Sequence, residues 1–189
     1  MHRFWSLFKR RRRRDLLVSS DAVHLYPTLK FFLGQIGPDG SFQAYDVCVR
    51  YAFVRDFEKG VVDSPWSAIY ERMQRARGAV SHHNAERFAK LIGSFRATGY
   101  DVRSAITLHV SRDGAYLLGD GSHRLACSLY FKTPWVSLAH SPDKRKTTRD
   151  YGIDWFEKAG FSVAERNMIM AVKDEIVAAW EEGGADAAK

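Results

Sequence analysis

Five consecutive residues, Asp120, Gly121, Ser122, His123 and Arg124, bring together the side chains that a phosphate site needs. The guanidinium of Arg124 is a planar fork matched to phosphate oxygens. Gly121 has no Cβ and lets backbone come close to a ligand. His123 can donate to a phosphoryl oxygen or shuttle a proton. Asp120 can accept the proton of an attacking hydroxyl or help to hold Mg²⁺. Ser122 can cap a helix and donate to a phosphate. The plain alternative is a turn and nothing more, because Asp-Gly reverses chains and serine starts helices.

The flanking residues place these five between a strand and a helix. Tyr116-Leu117-Leu118 is a short apolar run, and Leu125-Ala126 opens a helical one. The start of a helix offers N–H groups and the positive end of its dipole to an anion. Upstream, Phe88, Leu91, Ile92 and Phe95 recur at helical spacing, which predicts a helix over 82–95. A strand over 102–110, a tight turn at Asp113-Gly114 and a returning strand over 115–118 follow. After the marked turn come a helix over 124–131 and a last strand near 135–138.

This order, with an Asp-Gly-Ser-His-Arg turn inside it, resembles the ParB/sulfiredoxin-like superfamily, whose members include ParB N-terminal domains, sulfiredoxins and free-serine kinases. The likeness covers about residues 84–140 and is nearest to the kinase-type Asp-Gly-x-His-Arg motif. It implies a nucleotide-phosphate site. Gly121, Ser122, His123 and Arg124 would line the phosphates of ATP, ADP or CTP. Asp120 would handle the acceptor hydroxyl or Mg²⁺, with Asp120 and His123 as the catalytic pair. Two departures narrow the likeness. Sulfiredoxin chemistry needs a cysteine in the motif, where Ser122 stands, and Cys127 lies a turn further on and reads as core. Partition-type DNA clamping uses a different motif and a long helical region, for which the two short C-terminal helices leave little room, so it is not expected.

The other candidates are weaker. Residues 42–57 are rich in Val, Tyr and Phe and read as a strand or hairpin arm. Arg50 lies inside its apolar part, where a charge is costly unless paired, so it is a candidate substrate contact. The competing reading pairs Arg50, Arg55, Arg72 and Arg77 with Asp46, Asp56, Glu58 or Glu71 on the surface, and for Arg72 and Arg77 that reading is preferred. Ser64-Pro65-Trp66 marks a helix start, and the helix runs to Arg77. His82 and His83 with Glu86 have incomplete metal-ligand spacing and read as a helix start or exposed loop. Lys144, Arg145, Lys146 and Arg149 read as a solvated loop over 141–150. Helices over 153–160 and 163–180 end in a frayed tail.

Charge is concentrated at one end. The 189 residues carry a net charge of +7, but Arg3 and the run 9–14 hold all of the excess. The remainder balances 22 basic residues against 22 acidic ones. A domain that grips nucleic acid with its whole surface is basic throughout, so nucleic acid is not the expected partner. Phe4, Trp5, Leu7 and Phe8 precede the basic run, in the wrong order for a secretory signal. Aromatic rings beside cations suit an anionic membrane surface. A solvated arm is the second reading, and a nucleic-acid or import arm the third. Two cysteines without a CxxC pattern fit a reducing compartment.

The sequence therefore predicts an α+β protein with a small mixed β-sheet flanked by helices. A tail spans 1–14, a ParB/sulfiredoxin-like domain 15–140 and a C-terminal helical extension 141–189. The expected activity is nucleotide-dependent phosphoryl transfer to a hydroxyl-bearing small molecule, glycan or lipid-linked acceptor. The expected place is the cytoplasm, at the inner face of the membrane. A non-catalytic nucleotide- or phosphate-binding regulatory module, DNA-associated in one version, is the alternative.

Overall fold

In chain order, β1 (His24–Pro27) runs directly into α1 (Thr28–Leu33), followed by α2 (Tyr45–Glu58), α3 (Pro65–Ala76) and α4 (Ala85–Thr98). The hairpin strands β2 (Ile106–Val110) and β3 (Tyr116–Asp120) come next, then α5 (Ser122–Tyr130) and β4 (Trp135–His140). α6 (Ile153–Lys158) and α7 (Val163–Asp186) close the chain. These elements come from a computed structural model that describes residues 23–37, 39–79, 84–110, 116–140 and 151–186. The tail at 1–14, His82, His83, the Asp113-Gly114 turn and the 141–150 segment lie outside the described residues.

The four strands form one mixed sheet in the order β1-β4-β2-β3. β1 pairs antiparallel to β4, β4 parallel to β2, and β2 antiparallel to β3. Ile106, Leu108, Leu118, Val136 and Leu138 are buried and give the sheet its core face. α1 packs on β1 and α5 on β2. The α+β class expected from the sequence is what the chain adopts, with seven helices among the described residues.

The segment expected to be a strand is α2, the central helix. It packs against α3, α4, α5 and α7, and ten of its fourteen residues are buried. Burial on every side removes the polar face that produces a 3.6-residue period. What remained was a run rich in Val, Tyr and Phe, whose intrinsic preference is for strands. Tertiary packing overrides that preference. Phe156, Phe161, Ile169, Val172 and Ile176 belong to the same hydrophobic cluster as α2. The C-terminal helices therefore complete the core, and Trp180 fastens α7 to α5 by donating from Nε1 to the Leu129 carbonyl at 3.0 Å.

Helix starts follow local chemistry. Ser64 Oγ accepts from the Trp66 N–H at 3.1 Å, with Pro65 in the first turn, as the sequence predicts. α4 begins at Ala85, not at His82, because Asn84 Oδ1 accepts from the Arg87 N–H at 2.9 Å and sets the boundary. The strand that carries the marked turn is anchored from outside the sheet. The Leu118 N–H donates to the buried side-chain oxygen of Gln35 at 2.7 Å. Among the described residues, no helix is long and apolar enough to cross a membrane.

Candidate functional site

β3 ends at Asp120 and α5 starts at Ser122, so a single residue turns strand into helix. That residue, Gly121, has φ of +99°. A side chain there would be strained by the backbone alone, and its Cβ would also stand 3.2 Å from Arg124 Nη2 and from Ile106 Cγ1. No side chain caps α5 at Gly121. The start of a helix carries the positive end of its dipole, which favours an anion.

A cleft of about 210 Å³ opens at this point. One wall is Asp120, Gly121, His123 and Arg124 of the turn, and the other is the cap residue Asn84 with Arg87, Phe88 and Leu91 of α4, with Tyr70 of α3 behind. Four of the five marked residues thus share one opening. The fifth, Ser122, is 6% exposed and is not part of the lining. The expectation that Ser122 caps the helix is corrected: it occupies the first helical position, and Gly121 stands where a cap would.

Arg124 is held in place. Its Nη1 donates to the Ser104 and Ala105 carbonyls at 2.7 and 2.6 Å, and its Nη2 donates to Asp120 Oδ2 at 3.2 Å. It therefore ties the turn to the start of β2 and lines the cleft at the same time. Asp120 is 72% exposed at the rim, the accessible carboxylate of the cleft lining.

His123 is half-buried between rings. It meets Phe88 edge to face at 4.6 Å and Tyr70 at 5.8 Å between centroids. Its Nε2 lies 2.8 Å from the Tyr70 hydroxyl. That hydroxyl is fully buried, and burial pushes the phenol above its ordinary range although the charge of Arg50 opposes the shift. Tyr70 therefore keeps its proton and stays a donor.

Arg50 is not at the cleft. It sits on α2, 1% exposed, and pairs with Asp46 Oδ2 at 2.9 Å. It also donates to the Asp46 carbonyl at 2.6 Å and to Gln74 Oε1 at 3.2 Å. A substrate contact for Arg50 is thus replaced by a core ion pair, because the helix that carries it is enclosed on all sides. Of the other arginines, Arg77 does reach Asp46, at 3.5 Å, and Arg55 reaches Asp56 at 2.7 Å. Arg72 instead pairs with Glu165 at 2.6 Å, a partner 93 positions away that sequence spacing does not disclose.

Tyr70, Asn84, Arg87 and the Phe88–Leu91 wall join the site through the fold, not through any motif in the sequence. Phe88 and Leu91 carry the pattern of a core-facing helix stripe, and Tyr70 lies 53 positions from His123. Asn84 alone had a local signal, that of a helix cap. Among the described residues no three His, Cys, Asp or Glu side chains cluster to hold a metal. Asp120 is the carboxylate of the cleft lining that could contribute to holding a cation. Compared with models of protein families, with curated proteins and with solved structures, the chain matches none.

Proposed function

We propose that this protein is a nucleotide-dependent phosphotransferase that works in the cleft between α4 and the 120–124 turn. The observation that carries the reading is the convergence on one opening of a capless helix start, an accessible carboxylate and two arginines, Arg87 and Arg124. The cleft volume of about 210 Å³ is below the roughly 300–1,000 Å³ of sites that enclose a drug-sized ligand. It suits the phosphates of ATP, ADP or CTP, with the nucleoside lying over the rim. Mg²⁺ would neutralise phosphate charge beside Asp120.

In this reading the helix start and Arg124 bind and orient the phosphoryl group, and Asp120 takes the proton of the acceptor hydroxyl. Apolar Phe88 and Leu91 keep water from one side of the transferred group. The acceptor is a hydroxyl-bearing small molecule, glycan or lipid-linked sugar. The aromatic and basic segment at 1–14 holds the enzyme to the anionic inner face of the membrane, with each cation near such a surface contributing roughly 1 kcal/mol. Liposome co-sedimentation that needs anionic lipid, and that persists unchanged without residues 1–14, would remove this part of the reading.

The central test is a thermal-shift screen of ATP, ADP and CTP with and without Mg²⁺, followed by turnover with candidate hydroxyl acceptors. Stabilisation together with one-for-one formation of phosphorylated acceptor and the nucleotide shortened by one phosphate, ADP from ATP, CDP from CTP or AMP from ADP, supports the proposal. Stabilisation without turnover for any acceptor favours the second reading, a nucleotide- or phosphate-binding regulatory module. One observation supports that second reading: Asp120 is engaged by Arg124 and must release it to act as a base.

A further inference from the structure

A chain of hydrogen bonds with a defined direction runs from the core to the cleft. It starts at Arg50, a group that can only donate and is never deprotonated in proteins. Arg50 Nη2 donates to Gln74 Oε1 at 3.2 Å. That fixes which way the Gln74 amide faces, because the opposite orientation would set an NH₂ group against a guanidinium. The amide nitrogen is left to donate to the Tyr70 hydroxyl, which it does at 3.3 Å. The hydroxyl has one further partner among the described residues, His123 Nε2 at 2.8 Å. If Nε2 carried a proton, the buried hydroxyl would accept twice and its own proton would have no acceptor among the described residues.

We infer that Arg50, Gln74 and Tyr70 are positioning residues that hold His123 as the tautomer with its proton on Nδ1 and its Nε2 bare. Asp46 anchors the start of the chain through the Arg50 ion pair. Free imidazole side chains favour the opposite tautomer, with the proton on Nε2, so the fold reverses an intrinsic preference. His123 also keeps a fixed ring plane, because Phe88 and Tyr70 both meet it edge to face. For its catalytic meaning the inference rests on the phosphoryl-transfer reading. There it casts His123 as a fixed element of the cleft wall with Nε2 committed to Tyr70, and it leaves Asp120 as the base.

The test is a long-range ¹H–¹⁵N correlation spectrum of the full chain without any ligand, above the pH at which His123 becomes neutral. In the wild type, Nδ1 should show the shift of a protonated ring nitrogen and Nε2 that of a bare one. Tyr70→Phe should move His123 toward the Nε2-protonated form. Gln74→Leu should do so in part, by freeing the Tyr70 hydroxyl to reorient. A wild-type spectrum with the proton on Nε2 overturns the inference, and so does a Tyr70→Phe spectrum identical to wild type. The wild-type spectrum decides the matter even if neither variant folds. Because no ligand enters, the tautomer and the phosphotransferase reading can fail separately.

Discussion

Two aspartate–arginine pairs at the same spacing lie in opposite surroundings. Asp46 and Arg50 are four residues apart on α2, 2.9 Å between charged atoms, 0% and 1% exposed. Asp120 and Arg124 are also four apart, 3.2 Å between charged atoms, but 72% and 22% exposed. The first pair lies inside a helix packed against four others, where Gln74 and Arg77 are further partners of the pair. The second straddles the junction of β3 and α5 at the mouth of a cleft. Identical residue types thus serve as an internal strut in one place and as a candidate reactive group in the other. A buried charge is fixed because removing its partner strands it in low dielectric, whereas an exposed one can change partners at little cost.

Removing one member of each pair should separate them most clearly. Arg50→Ala leaves Asp46 buried with its main counter-charge gone and should destabilise the fold by about 3–5 kcal/mol, a large part of a typical domain's total. Thermal or urea unfolding measures it, and a change below about 1 kcal/mol would mean that the pair is not the strut described. Replacing both members by apolar residues, Asp46→Leu with Arg50→Met, should restore most of the loss. Arg50→Lys should not, since an ammonium cannot reach carboxylate, carbonyl and amide together as the fork does.

The exposed pair should behave in reverse. Asp120→Asn should alter stability by less than about 1 kcal/mol. On the phosphotransferase reading it should slow turnover by roughly 10²–10⁴-fold while nucleotide binding survives. Equal turnover in the variant removes Asp120 from the chemistry. Arg124→Ala should weaken nucleotide binding and also loosen the turn, because Ser104 and Ala105 lose their donor. Its affinity is therefore to be measured well below its own melting temperature.

A smaller effect tests the turn itself. Gly121→Ala meets a left-handed backbone and crowds Arg124 and Ile106, and should cost roughly 1–2 kcal/mol. Loss of nucleotide binding without loss of folding would sharpen the comparison, since it would tie the site to the close approach that only glycine allows. The smallest effect belongs to the cysteines. Burial pushes the thiols of Cys48 and Cys127 up, so both remain protonated at neutral pH. Neither should react with iodoacetamide in the folded protein, and both should react once it is unfolded. Stability should be insensitive to these thiols below about pH 8.5 and decline above it, because the unfolded chain then releases protons that the folded chain retains.

The two regions also differ in how much of them could be read in advance. Around the cleft, the strand–glycine–helix sequence from Tyr116 to Leu125 was legible because each step has local chemistry: an apolar run, a glycine that accepts positive φ, and a helical pattern after it. The α3 start at Ser64-Pro65 was legible for the same reason. Ser122 was misassigned by one position, since Gly121 took the cap site that serine usually takes. The opposite wall was hidden, because Phe88 and Leu91 look the same whether a helix stripe faces a core or the edge of a cleft. The α2 region failed altogether. Its enclosure erased the amphipathic period, so Arg50 looked like a charge in a strand and not like the anchor of a core network.

By itself the sequence determined the features that depend on neighbours a few residues away: the helix cap at Ser64, the turn at Gly121, and the apolar runs that became strands. Their energies arise from backbone angles and short-range hydrogen bonds, which local residue types dictate. Tertiary structure alone decided that α2 is a helix, that Arg72 finds Glu165, and that Tyr70 meets His123 across 53 positions. Burial and pairing between distant segments have no local signature, because their free energy exists only once packing has excluded water from the space between them.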